Sequence, residues 1–482
     1  MKNSNESIKQ SPFLYMEVYE HYRSLIISGV LKSGERMPSL RKAAAEMNRS
    51  LTTIESAYFQ LAADGYIITR PQSGYYVTNI MEGRSDTGNE FRVIGESSAF
   101  QNAVFRERVL PGSDSSAVGR AALSSAIRYD FASSGVDRES FRFDLWQRYI
   151  KSALRQDERL LSYGEPQGEY DFREALSLYV RERRNILCSP EQIVVGAGVQ
   201  TLLHLICPLV KDLKTVSFPT PSFIQGASVF KDHGFEVHYR DKNAGIIYVS
   251  PAHMNRWGDI MPVKRRLELI RHAGENGSLI IEDDYENEFV YLQTPTPSLY
   301  GLSRQQNVVY IGSFSRLLLP SIRISFMILP FKMLNTYREK ASCYNQTASK
   351  AEQIALSRFI RDGHLSAQTR RLKRLYEKKQ SKLCSAAEAI FGSGCTVKSA
   401  PAGTMVSLSV PFSESSSLTD RTPAEIQARA AEKGLRILPP DITGRTVTFL
   451  LSCSSMPDAD FEEALIILKE IVTHIIAGDG SL

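Results

Sequence analysis

Val308-Val-Tyr-Ile-Gly-Ser-Phe-Ser-Arg-Leu-Leu-Leu-Pro-Ser-Ile-Arg323 reads as an apolar strand, Val308–Ile311, running into a turn of small and polar residues. The run is too short for a helix, is rich in β-branched residues and is closed by glycine. A second apolar run, Ile322–Leu329, follows Pro320. Outward from this stretch the pattern repeats, with candidate strands at Gln192–Val195, Thr215–Phe218, Gly245–Val249 and Ser278–Ile281, separated by amphipathic helical segments. From about residue 129 onward that alternation predicts an α/β body built on a mostly parallel sheet. Residues from about 395 to 475 add short strands at Met405–Val410 and Thr446–Leu451 together with two helices, a smaller α+β domain.

Upstream lies a different unit. Pro12 opens a helical period through Leu14, Val18, Tyr22, Leu25 and Ile26 that Gly29 stops. Pro38-Ser39 opens a second helix through Met47 with Ser39 as N-cap. A third starts at Ser50 and places Ile54, Ala57, Tyr58 and Leu61 on one face. Asp64-Gly65 ends it, and the segments around Pro71-Gln-Ser-Gly74 read as a short hairpin. Residues 80–125 are rich in Ser, Gly, Asn and charge without a sustained period, which marks a linker.

The chain has 482 residues, 43% hydrophobic and 23% charged, enough for about three domains at roughly 150 residues each. No apolar run reaches the ~20 residues needed to span a bilayer, and the start lacks a signal-peptide core, so a cytoplasmic location is expected. Six scattered cysteines form no C-x-x-C pair, and the histidines form no H-E-x-x-H, so neither a disulfide framework nor a metal centre is expected. Net charge is +5, but residues 1–80 hold nine basic against seven acidic residues. A case for DNA must therefore rest on where the charge sits.

In a helix-turn-helix the third helix would present Ser50, Thr52 and Thr53 at its start, with Arg41 and Lys42 on the preceding helix, Arg49 in the turn and Arg70 in the hairpin. Hydroxyls and N–H groups at a helix start suit phosphate, and Arg suits guanine or phosphate. By periodicity alone, a small protein-contact domain in which these residues only cap and solvate is an equal reading.

In the body, polar residues cluster just beyond the predicted strands, where open α/β sheets bind ligands. Gly196-Ala-Gly198-Val-Gln200 precedes a helix and leaves backbone N–H groups for a phosphate, although a lone Gly-x-Gly also makes ordinary turns. Glu282-Asp283-Asp284-Tyr285 follows one strand, and Ser313, Ser315, Arg316 and Arg323 follow another. Two serines and an arginine could share one phosphate while Asp283 meets a protonated ring nitrogen. Taken singly, each piece reads equally as a cap, a solvated strand end or a turn.

Lys32-Ser-Gly-Glu-Arg-Met-Pro-Ser-Leu-Arg-Lys-Ala-Ala-Ala45, Ser50-Leu-Thr-Thr-Ile-Glu-Ser-Ala-Tyr-Phe-Gln-Leu61 and Ser73-Gly-Tyr-Tyr-Val77 resemble the GntR-type winged helix in order and spacing. The resemblance implies that Arg41, Thr52, Thr53 and the wing glycine Gly74 approach DNA, and it departs at Leu51, where the family usually has Arg. Ser162-Tyr-Gly-Glu-Pro-Gln-Gly-Glu-Tyr-Asp-Phe-Arg-Glu-Ala-Leu176, Glu191-Gln-Ile-Val-Val-Gly-Ala-Gly-Val-Gln200, Ile280-Ile-Glu-Asp-Asp-Tyr285 and Tyr310-Ile-Gly-Ser-Phe-Ser-Arg316 resemble the MocR subfamily. That subfamily joins the winged head to a body of the fold-type I, pyridoxal-phosphate-dependent aminotransferase kind.

The resemblance implies a winged helix-turn-helix at 12–79, a linker at 80–128, an aminotransferase-like large domain at 129–394 and a small C-terminal domain at 395–482. It implies operator DNA, a small-molecule effector and a head-to-tail homodimer as partners, with no membrane. It places Gly198, Val199, Gln200, Ser313, Ser315 and Arg323 at the cofactor phosphate, Phe223 on the ring, Asp283 at the pyridine nitrogen, and Tyr285 and Asn255 at the phenolic oxygen. Arg256 and Trp257 beside Asn255 depart from its Pro-Ser/Thr.

The larger departure is Arg316, where the resemblance requires the lysine that carries the cofactor aldehyde as a Schiff base. A guanidinium stays protonated and is no nucleophile, and residues 307–329 contain no lysine. The carboxylate-binding arginine of the C-terminal strand is also missing, with Leu450 near its place. Expected, then, is a regulator without transaminase activity that binds pyridoxal phosphate or a related anion noncovalently. At this point Arg316 reads equally as an added anion contact or as an idle group paired with a residue such as Asp283. An aminotransferase with an accessory head, and a ligand-independent regulator whose body only dimerises, are the alternatives.

Overall fold

The computed structural model describes residues 14–63, 66–70, 74–78, 127–133, 135–291, 297–303, 306–341, 343–412 and 422–477. Pro12, the tip of the hairpin at 71–73 and nearly all of the expected linker lie outside them. The chain divides into two compact units, Met1–Asn89 with Pro262–Arg271 and Leu292–Ser298, and the remainder.

The head has three helices, α1 (Leu14–Ile27), α2 (Leu40–Met47) and α3 (Leu51–Ala63), and a hairpin of β1 (Ile67–Arg70) and β2 (Gly74–Val77). Val18, Tyr22 and Ile26 meet Ile54, Ala57, Tyr58 and Leu61 in one core. Ser39 caps α2 by accepting from the Lys42 amide at 3.2 Å, and Asn48 closes it in the left-handed region. Ser50 is the cap of α3 rather than its first residue: its hydroxyl accepts from the Thr53 amide at 3.1 Å. The hairpin pairs Ile67 with Val77, and a bridge from Arg36 to Tyr76 widens it.

The body opens with the short strand β3 (Tyr129–Asp130). Its main sheet holds β4 (Ile193–Gly196), β5 (Thr215–Phe218), β6 (Glu236–Tyr239), β7 (Ile246–Val249), β8 (Leu279–Asp283), β9 (Val308–Ser313) and β10 (Ser325–Ile328). Their order is β4-β10-β9-β8-β7-β5-β6, parallel except for β10, which runs against both neighbours. Strands β4 and β10 are buried along their whole length, as a sheet covered on both faces requires. The C-terminal ends of β4, β5, β7, β8 and β9 share one edge. Because β10 is reversed, its start, just after Arg323, lies at that same edge, with Ser325 opposite both Ser313 and Gly196.

The small domain is an antiparallel sheet in the order β11 (Thr396–Ser399), β12 (Met405–Pro411), β15 (Thr446–Ser452) and β14 (Asp441–Thr443). Tyr129, Phe131, Leu383 and Ala387, which the sequence reading assigns to the large domain, belong to its core, and β3 pairs with β13 (Leu435–Arg436). No described helix is long and apolar enough to cross a membrane.

Alternation along β8 sorts its acidic end. Glu282 and Asp284 point one way: Glu282 accepts from the amides of Leu299 and Tyr300 at 2.8 Å, and Asp284 takes both Arg184 Nε at 2.7 Å and Nη2 at 2.8 Å. The Tyr310 hydroxyl adds a bond to Asp284 at 2.6 Å. Arg184 and Asp284 side chains are 7% and 2% exposed. Removing one partner of such a pair strands the other charge in the interior, a cost of about 3–5 kcal/mol. Arg184→Ala is therefore expected to lower the denaturant midpoint of the full chain sharply, whereas Arg184→Met with Asp284→Leu recovers most of the loss.

Candidate functional site

Asp283, the odd member of the acidic run, faces the opposite way from its neighbours. Tyr248 of β7 donates its hydroxyl to Asp283 Oδ2 at 2.5 Å, and Ser250 donates to the Asp283 carbonyl at 2.7 Å. Burial, with Asp284 adding to it and the Tyr248 bond opposing, pushes the Asp283 carboxyl up to about 6. Phe223 lies beside Tyr248 with ring centroids 5.4 Å apart and planes inclined by 35°.

Across the same edge of the sheet, Gly198 caps the helix Val199–Ile206 with φ of +98°. A Cβ there would stand 2.5 Å from Arg323 Nη2, so the guanidinium packs directly on the glycine backbone. Arg323 itself holds a left-handed φ of +52° and pairs with no carboxylate among the described residues. A cation at the positive end of a helix is repelled by the macrodipole, and an anion between them would relieve that. Ser313 and Ser315 are joined by a 3.3 Å hydroxyl contact, and Ser325 Oγ, opposite Ser313, is buried without a hydrogen-bond partner. Gln200 is exposed on the first turn of the helix that Val199 begins.

Arg316 is held elsewhere. Its Nη2 meets Glu286 Oε1 at 2.5 Å and Thr404 Oγ1 at 3.2 Å, while Nη1 donates to the Gly135 carbonyl at 3.0 Å. Arg316 is ion-paired, as one of its two readings had it, but to Glu286, whose backbone is left-handed at φ +57°, and not to Asp283, which is turned to Tyr248. Burial works against the Arg316 charge, but Glu286 more than offsets it, so the group is more firmly cationic than usual. His253 Nδ1 stands 3.6 Å from Glu286 Oε2, and burial lowers the pKa of the histidine. Tyr285 meets the His253 ring edge-on at 5.7 Å. The Asn255 side chain closes its own turn, donating to Asp259 at 2.8 Å and accepting from the Trp257 amide at 3.0 Å. Arg256 pairs with Asp441 of the small domain.

In the head, Arg41 at the start of α2 and Ser50 and Leu51 at the start of α3 are exposed, and Arg41 meets no carboxylate among the described residues. Thr53 shares a 2.7 Å hydroxyl contact with Ser50. Arg49 is tied to Glu17 of α1 at 2.6 Å. Gly74, φ +99°, opens β2 beside the Arg36 guanidinium. The side chains of Thr52 and Arg70 lie outside the described set.

The bacterial regulatory protein gntR family matches residues 14–77, and the aminotransferase class I and II family matches residues 139–467. The chain is 32% identical over 441 residues to the HTH-type transcriptional regulator YhdI of Bacillus subtilis, covering 88% of each. It is 26% identical over 387 residues to the Rhizobium meliloti protein described as "Probable rhizopine catabolism regulatory protein MocR", covering 76% of each. The chain belongs to the MocR-type HTH regulators of the gntR family. For the body of this regulator, the kynurenine aminotransferase of Pyrococcus horikoshii gives a TM-score of 0.62 at 18% identity, covering 76% of this chain and 96% of that one. That likeness establishes the aminotransferase fold and nothing finer.

Four residues of this MocR-type body escape sequence reasoning: Tyr248, Glu286, His253 and Thr404. Tyr248 looks like strand core, and nothing in the sequence marks the backbone reversal that aims Glu286. Asp283 yields a sign-definite prediction. Its folded value lies above the unfolded one, so the native state holds the extra proton between about pH 4 and 6, and stability falls as pH rises through that window. Relative to wild type, Asp283→Asn is expected to gain stability progressively from pH 4 to 6 and to keep that gain above pH 6, read by denaturant unfolding. A pH-independent difference would remove the buried-carboxyl assignment.

Proposed function

We propose that this chain is a DNA-binding transcription regulator whose body takes pyridoxal phosphate, or another phosphorylated anion, noncovalently and does not transaminate. The observation that carries this reading is the contrast between two guanidinium groups. Arg316 stands where an amine would be needed and is neutralised by Glu286, while Arg323 lies against Gly198 at a helix N-terminus without a carboxylate.

The residues fit a phosphate monoester on an aromatic ring and do not fit covalent attachment. Gly198, Val199, Gln200, Ser313, Ser315 and Arg323 would hold the phosphate, and the unpartnered Ser325 hydroxyl borders the same serines. Asp283 would meet a ring nitrogen, with Phe223 against the ring and Tyr285 nearby. Bound pyridoxal phosphate would supply an aldehyde and an electron-withdrawing ring. This chain offers binding and orientation, and Arg316 can neither attack the aldehyde nor shuttle a proton. A ligand shifts a regulator only by favouring one arrangement over another. We place the chain in a head-to-tail homodimer on the strength of the family resemblance, and Leu161 and Tyr163, 89% and 91% exposed, give such a dimer apolar contacts.

In the head, Arg41, Thr53 and the start of α3 would face the major groove, with Gly74 in the wing. Leu51, 48% exposed, offers an apolar contact suited to a thymine methyl where an arginine would choose guanine.

Two measurements check these halves separately. Titrating pyridoxal phosphate against thermal stability is expected to stabilise the wild-type chain, by about 2.7 kcal/mol at a hundredfold excess over Kd, and Arg323→Ala to abolish the effect. No shift at saturation would leave the body a dimerisation device. Arg41→Ala and Thr53→Ala are each expected to weaken operator binding, by about 1–3 kcal/mol where a base contact is lost. Unchanged affinity in both would remove the assigned recognition surface.

A further inference from the structure

The long helix His364–Phe391 carries seven basic residues and one acidic between Arg370 and Lys382. Its buried face runs through Leu365, Thr369, Leu372, Tyr376, Lys379, Leu383 and Ala387 at three- and four-residue steps. Four of the basic groups have structural partners or partial cover. Lys379 binds Asp137 at 2.6 Å and the Met456 carbonyl, Lys382 pairs with Asp458, Arg371 donates to the Glu139 carbonyl at 2.8 Å, and Lys373 is half-buried.

Arg370, Arg374 and Lys378 remain. All three are exposed, and none pairs with a carboxylate among the described residues. They recur every four residues, which places them on one face over about 12 Å of helix. Like charges at that spacing repel each other by a few tenths of a kcal/mol per pair, whereas a merely solvated face gains from alternating signs. Glu377, beside Lys378, is the single acidic residue in this stretch. Duplex DNA carries one negative charge per roughly 1.7 Å of its axis, about seven over the same length.

We propose that the Arg370–Arg374–Lys378 face of this helix is a second DNA contact, binding the phosphate backbone of duplex that flanks the sequence read by the head. The inference rests on the reading of the head as a DNA-binding module. Contacts of this kind position the protein and carry no base preference, so they add affinity that depends on duplex length and salt but not on flanking sequence.

The test uses the full chain and a duplex enriched by the wild-type protein from a random-sequence library. That duplex is prepared both trimmed to the core sequence shared by the enriched molecules and extended by random flanks. Wild type is expected to bind the flanked duplex at least ~10-fold more tightly than the core. The triple variant Arg370→Ala, Arg374→Ala, Lys378→Ala is expected to bind both alike, with core affinity unchanged, which also reports that it is folded. On the flanked duplex its plot of log K against log salt should be shallower by about 2.7, near 0.9 per lost phosphate contact. The Arg370→Lys, Arg374→Lys pair should retain the advantage. Equal affinity and equal salt slope for wild type and triple variant on flanked duplex overturn the proposal while leaving the head intact. Failure of wild type to enrich any duplex overturns the reading of the head and this proposal with it.

Discussion

A guanidinium cannot shed its proton to enter a protein interior, so Arg316 obliges the structure around it to provide a carboxylate. Glu286 does so at 2.5 Å, and the geometry reaches well beyond the pair. Glu286 must adopt a left-handed backbone to aim inward, and Gly403 must lack a side chain, because a Cβ there would stand 2.5 Å from Glu286 Oε2. Further Arg316 bonds reach the Gly135 carbonyl and Thr404, just before β12. One ion pair thus ties the end of β9, the end of β8 and the small domain together.

The same edge of the sheet leaves a second guanidinium without such a partner. Arg323 rests on Gly198 at a helix start, where the dipole disfavours it. Fixed charge balanced at Arg316 and left unbalanced at Arg323 supports the proposed anion site. Period-two alternation in β8 completes the division: Glu282 and Asp284 serve the fold, and Asp283 serves the site. Both signs of charge at this edge therefore follow from strand geometry, not from a surplus of polar residues.

Much of this was legible in the residues. Strands β4, β5, β7, β8, β9 and β10 are short apolar runs, and burial on both faces is what makes them so. Strand β6, Glu236–Tyr239, was not foreseen: it is an edge strand with only partial burial, and its pairing to β5 is a tertiary fact. The large-domain range at 129–394 takes in Tyr129, Phe131, Leu383 and Ala387, which only folding joins to the core of the small domain. Gly198, Arg323, Asp283 and the serines stand out by their places after strands, while their roles toward a ligand come from the resemblance. That Arg316 pairs with Glu286 was not legible, since no local pattern encodes the reversal at Glu286. Asn255 drew attention through the resemblance, yet its amide is spent on its own turn. In the head, caps and core faces followed from spacing, whereas the Arg49–Glu17 tie joins residues that only folding brings together.

The central claim is that this site binds its ligand without a covalent bond, and the mass of the intact protein after borohydride reduction in the presence of pyridoxal phosphate addresses it most directly. The account predicts no stoichiometric adduct on the wild-type chain under conditions where ring absorbance shows the ligand bound. A single saturable adduct per wild-type chain, mapped to a lysine at the carboxyl edge of the main sheet, would contradict it.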